Sequence, residues 1–423
     1  MERLVLFLLV IGSIWSCYPV SESNYINSDD LVVDGINYGK KPNGCHDQLN
    51  YIPDTNYIEH TPLRRVYVNF HIMRKSDGTG CFTEEEMPKY IDQLLYYTNK
   101  KLEKNVKMNL PLGNNTPVIP TRYRYILYKD PEVPGDNGIY FHNDDELYYF
   151  VKTGKNRNNY VRKQFEKYGN YKGKILNVFI MPHHPDSVAS PTYRPTVTGI
   201  AFQDHVKIAG MYHYSRDTMY KNGKVHLRGA WYCHGIMNHE IGHTLGLRHT
   251  WRGNDGCEDT PLHKNCYAKG KTPPCNKEWS NNVMDYNTHQ HSWTPCQIGI
   301  IHRRFSDIES PQRKFLKRTW CEIQPGGDLE IRDKVIWRGA RDLEGNITIE
   351  NGASLEVRCR LSMPKDATIS VKPGGKLILN GAIIDNTCGD KWQGIKIWRE
   401  GKEKGEVVFV NDPELLNMKS ELK

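Results

Sequence analysis

The stretch HEIGHTLGLRHT, residues 239–250, places histidines at 239, 243 and 249 and a glutamate at 240. That spacing limits the local fold severely. His239 and His243 share one face, a turn apart, only if the chain between them is α-helical. His249 returns to that face only if the helix stops soon afterwards and the chain reverses. Gly246 supplies the stop, because glycine enters the left-handed region that closes a helix without steric cost. The spacing therefore predicts a helix over 237–247 that ends at Gly246 and delivers a third imidazole.

Three neutral imidazoles leave the fourth position of a tetrahedral zinc ion open, which is the arrangement of a catalytic zinc site rather than a closed structural one. Glu240 lies beside the ligands, placed to take a proton from a zinc-bound water and pass it to a leaving amine. Such a constellation serves peptide-bond hydrolysis. The rival readings are a structural helix with coincidental histidines and a site that keeps its ligands but has lost catalysis; an intact Glu240 speaks against the latter. Further on, NNVMDYN at 281–287 offers Met284 as an apolar floor beneath the imidazoles. Tyr286 is expected to donate its hydroxyl to a developing oxyanion or to occupy the metal at rest. A buried, satisfied tyrosine is the alternative there.

The chain has 423 residues, enough for two or three domains. MERLVLFLLVIGSIWSC, residues 1–17, has a short apolar run ending in small or polar residues and reads as a secretory signal peptide. Cys17 closes it, as in bacterial lipoproteins, although Ile14 and Trp15 fit that pattern poorly; lipid attachment at Cys17 is a second option and a first core element a third. A secreted or outer-surface protein would also account for eleven cysteines, of which Cys257, Cys266, Cys275 and Cys296 crowd the segment after the histidines. Without repeated CxxC spacing, their sulfurs are expected in disulfides rather than on a metal. The formal charge of +8 is spread along the chain with no basic array interleaved with aromatics, so no nucleic-acid partner is expected. A protein or peptide substrate is. Oligomeric state is not readable.

Residues 18–62, rich in Asn, Asp, Ser, Pro and Gly, are expected to be a tether or pro-segment. A strand over 64–75, a helix after Thr83 with Glu86 three residues on, strands at 121–129 and 175–182, a helix within 158–169 and short strands at 198–202 and 207–214 predict an α+β domain over 63–310. A linker follows at 311–325. Over 326–423 the pattern changes: Ile347, Ile349, Gly352 and Leu355 recur 22 residues later as Ile369, Val371, Gly374 and Leu377. Short β-runs at that period predict stacked coils of an all-β, β-solenoid-like domain, with a small β-sandwich as the rival. This half carries no catalytic cluster and is expected to bind, anchor or space, through cell-surface or glycan contact. A surface adhesin or glycan-binding protein with an inactive metal domain is accordingly the alternative function.

His239-Glu240-x-x-His243-x-x-Gly246-x-x-His249 followed by Met284 resembles the metzincin clan of zinc peptidases. Within that clan, HEIGHTLGLRHTW, GCEDTP and NNVMDY resemble the pappalysin (cytophagalysin-like) family, over about 64–308 and most specifically over 239–297. The resemblance implies an α+β catalytic domain with a mixed sheet and an active-site helix, its cleft lying between an upper sheet-and-helix half and a lower irregular half. It also implies His239, His243 and His249 as zinc ligands, Glu240 as general base, Met284 as the Met-turn and Tyr286 as the clan's tyrosine. Structural calcium is a further implication; Asp255, Glu258, Asp259 and Thr260 offer hard oxygen donors, with a solvated acidic turn as the alternative. Some relatives block zinc with a pro-segment cysteine, for which Cys45 is the upstream candidate. One departure concerns specificity: NTHQHSWTPCQ after the Met-turn has no carboxylate between Asp285 and Asp307, which puts the relatives' preference for basic side chains in doubt here.

Overall fold

A computed structural model describes residues 21–40, 44–216, 228–287 and 289–419. The proposed signal peptide and Cys17 lie outside these residues. Among the described residues no helix is long and apolar enough to cross a membrane.

The amino-terminal two thirds is built on a six-stranded mixed sheet, in the order Tyr123–Leu127, Arg64–Arg74, Leu176–Met181, His205–Ala209, Thr198–Ala201. Arg64–Arg74 is long enough to pair with Tyr123–Leu127 along its first half and with Ile139–Asn143 along its second. All pairings are parallel except the last, where Thr198–Ala201 runs antiparallel as an edge strand. Val66, Val68, Phe70 and Ile72 alternate along the long strand and bury one face against Met87, Tyr90, Ile91 and Leu94 of the helix Met87–Glu103. Thr83 and Glu86 exchange the reciprocal hydrogen bonds of a capping box just ahead of it, at 3.0 and 3.3 Å. The helix that carries the histidines, Arg228–Thr244, packs on Met87–Glu103 and under the edge strand.

Three local expectations are corrected. The strand expected at 207–214 ends at Ala209, and Met211–Arg216 is helical. Gly210 makes the break at φ +87°, where a Cβ would fall 2.0 Å from the Thr196 carbonyl oxygen. The helix sought in 158–169 is confined to Lys163–Tyr168. The active-site helix begins well before residue 237 and ends at Thr244.

Below that helix the chain is irregular from Gly253 to Trp293, apart from disulfides Cys257–Cys296 and Cys266–Cys275, until the helix Pro295–Ser306 begins with a capping box from Thr294 and Gln297. The short 311–325 segment is packed rather than loose: Phe315, Leu316 and Trp320 enter the catalytic core, and Cys321 is bonded to Cys388.

The carboxyl-terminal region is all β. Leu329–Ile331, Ile347–Ile349, Thr368–Val371 and Gly394–Glu400 form one parallel ladder. Lys334–Trp337, Ser354–Val357, Lys376–Asn380 and Glu406–Val410 form a second, and Arg341–Asp342, Arg360–Ser362, Ile383–Asp385 and Glu414–Leu415 a third. Each circuit of the chain thus adds one strand to each ladder. Ile347 pairs with Ile369 and Leu355 with Leu377, the partners marked by the sequence repeat. Antiparallel pairs occur in this region only at its margin, whereas a sandwich would be antiparallel throughout. Inward-facing Ile, Leu and Val side chains fill the space between ladders.

Parts of the stretch expected as a tether are packed on this region. Ser21–Tyr25 adds an antiparallel strand to Gly394–Glu400, and Leu31 bridges to Val407. These contacts cover the open edge of the last circuit, where unpaired backbone groups would otherwise invite association. Cys45 is bonded to Cys359. Gln48–Tyr51 then lies on the helix Pro295–Ser306, so one segment ties both domains together. At their junction Asp342, 1% exposed, sits among Arg64, Arg313 and Arg360. These guanidinium groups hold its carboxyl below the usual range despite burial.

Candidate active site

The active-site helix turns His239 and His243 toward a common point. Gly246, at φ +103°, then reverses the chain, and Arg304 packs so closely there that a Cβ would fall 2.1 Å from its Nε. Glycine is needed on both counts. The reversal brings His249 back: its Nε2 lies 3.1 Å from Nε2 of His243 and 3.2 Å from Nε2 of His239.

The opposite ring nitrogens decide the chemistry of this cluster. Nδ1 of His239 donates to the Val283 carbonyl at 2.6 Å and Nδ1 of His243 to the Leu247 carbonyl at 2.9 Å. A carbonyl can only accept, so each Nδ1 carries the proton and each Nε2 presents a lone pair. Burial holds all three imidazoles below their ordinary pKa, His249 down to about 4, and so keeps them neutral. Neutral lone pairs converging at this distance repel unless a cation lies among them. The residues therefore fit a transition-metal ion with nitrogen preference, as zinc has.

Glu240 is 5% exposed and faces the edge strand. A methyl group on Gly199 would fall 2.4 Å from its Cγ, so the strand can cover the carboxylate only because residue 199 has no side chain. Burial, partly offset by the Lys152 charge, pushes the carboxyl up to about 8; a cation held by the neighbouring imidazoles works the other way and favours the ionised form.

Met284 is fully buried beneath the helix, where a Cβ on Gly242 would lie 2.9 Å from its Sδ. Its turn is held by the Asn282 side chain, which accepts from the Met284 amide at 2.8 Å and bonds Gln297. Because Val283 also supplies the carbonyl that holds His239, the turn orients a ligand directly. Tyr286 is 41% exposed, its ring 4.8 Å from that of His249 and 5.9 Å from that of His239. The buried-tyrosine alternative does not hold.

Two calls fare differently. Asp255 accepts from Thr260 Oγ1 and the Cys257 amide, and Asp259 from Thr294 Oγ1 at 2.8 Å and the Cys296 amide at 2.9 Å. Glu258 points to solvent. Asp255 and Asp259 accept from protein donors and knit the lower half together, which differs from the solvated acidic turn expected as the alternative. Cys257 and Cys296, which flank Asp259, are bonded to each other and so are not thiolate ligands. Cys45, bonded to Cys359, is not a zinc-blocking cysteine here; the tie between the domains takes its sulfur.

Several contributors were not marked in advance. Asp285 is fully buried and accepts from Thr250 Oγ1 and Ser280 Oγ, joining the turn to the residue just after the third ligand. Trp251 stacks on His249 with ring centroids 5.4 Å apart. Gly199 lay unremarked in TGIAF. Above the histidines runs a cleft of ≈ 680 Å³, whose lining includes Lys152, Thr198, Gly199, Trp231, Tyr286 and Gln290. Only chain geometry brings these together.

Residues 159–305 match the family Peptidase_M43, described as pregnancy-associated plasma protein-A. No curated protein matches the chain. Among solved structures, it is similar to mature mirolysin of Tannerella forsythia in complex with a cleaved peptide, at 18% identity over 59% of this chain and 94% of that one, TM-score 0.38. It is also similar to mirolysin in complex with compound 9, at 18% identity over 60% and 96%, TM-score 0.40.

Proposed function

We propose, from the M43-family peptidase domain that this chain contains, that it is an exported zinc endopeptidase with a β-solenoid-like carboxyl-terminal domain. One observation carries the reading: three imidazoles converge, with Nε2 of His249 within 3.2 Å of Nε2 of both His239 and His243, in an open cleft that a buried carboxylate also lines. His239, His243 and His249 would hold a zinc ion, which would supply Lewis acidity for peptide-bond hydrolysis.

The chain's own residues do the rest. The Val283 and Leu247 carbonyls fix the tautomer and the orientation of two ligands. Glu240 accepts a proton on its carboxylate and returns it to the nitrogen of the leaving amine. The backbone at Gly199 shields that carboxylate from bulk water. Tyr286 presents its hydroxyl on the open side of His249, where it donates to the substrate carbonyl oxygen as charge develops. Met284 keeps the helix from settling toward the core.

Four disulfides support export, since such bonds persist in oxidising compartments. The carboxyl-terminal stack of parallel ladders would serve cell-surface or glycan contact. The test is cleavage of a mixed peptide library by the zinc-loaded chain. Cleavage lost on chelation, restored by zinc and absent in Glu240→Ala supports the reading; no cleavage by the zinc-loaded protein overturns it.

A further inference from the structure

The charges around the cleft bear on which peptides it takes. Glu240 lines the cleft together with His239, and apart from it no carboxylate lines the cleft among the described residues. Lys152 lines the upper rim, its Nζ 3.5 Å from Oγ1 of Thr198, the residue before Gly199 on the covering strand. From there its charge reaches Glu240, His239 and His249.

A second cation approaches from the lower half. Arg252 lies over Trp251, its Cζ 4.9 Å from the ring centroid, and Trp251 stacks on His249. Its charge reaches His243, His249 and Tyr286. Both side chains are exposed and neither is held in an ion pair with a carboxylate among the described residues. Lys152 lines the cleft itself, and Arg252 stands behind its lining, over Trp251. Farther along the cleft, His289 is reached by Lys101 and by Glu278, whose opposite charges offset each other. At the cutting point these two cations therefore face no carboxylate other than Glu240 among the described residues.

We infer that Lys152 and Arg252 are specificity-determining residues that select peptides with a carboxylate side chain next to the scissile bond and reject those with a basic one there. The inference rests on the peptidase reading. A basic side chain in this position meets two like charges and no partner, whereas an acidic one gains a partner from either rim. Rim charges are partly screened by water, so the discrimination is moderate: about tenfold between acidic and basic side chains.

Matched fluorogenic peptides test it, with Glu, Gln or Lys placed in turn on each side of one cleavable bond. The ratio of kcat/KM for Glu over Lys should be about ten for the zinc-loaded full chain and should shrink toward one in about 0.5 M NaCl. It should fall below one in Lys152→Glu/Arg252→Glu and be kept in Lys152→Arg. A native enzyme that cuts all three peptides equally or prefers Lys overturns the inference and leaves the peptidase reading standing, as does a double variant with the native ratio. No cleavage of any peptide removes both.

Discussion

Gly199 and Glu240 touch across the catalytic cleft: the α-carbon of one sits where its missing methyl would strike Cγ of the other, 2.4 Å away. Gly199→Ala should displace either the covering strand or the carboxylate. We expect kcat/KM to fall about a hundredfold, the cost of misplacing a reacting group by about 1 Å. Zinc content should stay at the native level, because no ligand is touched. Steady-state kinetics beside metal analysis checks both halves.

Asp285 anchors the Met-turn to the segment carrying the third ligand through Thr250 and Ser280. Asp285→Ala leaves two buried hydroxyls without acceptors, at a cost of about 1–3 kcal/mol each. The loosened shell should also weaken zinc binding by about 10- to 100-fold. Competition against a chromophoric chelator would reveal a native-like affinity if Asp285 were mere filling.

The Cys45–Cys359 bond joins residues 314 apart in sequence. Cys45→Ser should lower stability by about 2–4 kcal/mol, read as an earlier unfolding midpoint, while activity at room temperature persists. A variant with raised activity and unchanged stability would instead favour a zinc-blocking role for Cys45.

Acid should destabilise the protein above the range where carboxylates titrate. His142, His205 and His302 are held at about 4, and His71 at about 3, chiefly by burial. Their folded pKa values lie below the unfolded value near 6.5, so the unfolded chain binds more protons as pH falls. Stability should be complete above about pH 6.5 and decline toward about pH 4. Denaturant midpoints at pH 7 and pH 5, measured with chelator present to remove the metal's own pH dependence, would be equal if these histidines did not contribute.

Much of the site was legible in the sequence because its parts are local. His239, His243, Gly246 and His249 encode a helix, a stop and a return within eleven residues, and the structure converges them as the spacing requires. The 22-residue repeat marks strand partners for a similar reason: stacked circuits put Ile347 beside Ile369. What escaped notice depends on distant chain. Gly199 matters only because a strand of the sheet passes over Glu240, and Asp285 only because Thr250 approaches it. Residues 21–40 and 44–62 show little periodicity because they make short contacts on two existing surfaces, and composition cannot distinguish such a strap from a tether. The run 207–214 looked like one strand because the break at Gly210 is made by the Thr196 carbonyl, which sequence does not place there.

The account stands on one ion shared by three imidazoles, and metal content measures that most directly. Protein equilibrated with micromolar zinc and freed of excess should carry about one zinc per chain by inductively coupled plasma mass spectrometry. His243→Ala prepared identically should carry less than about a tenth of that. A native chain without stoichiometric zinc, or a His243→Ala variant that retains the full amount, would contradict the account.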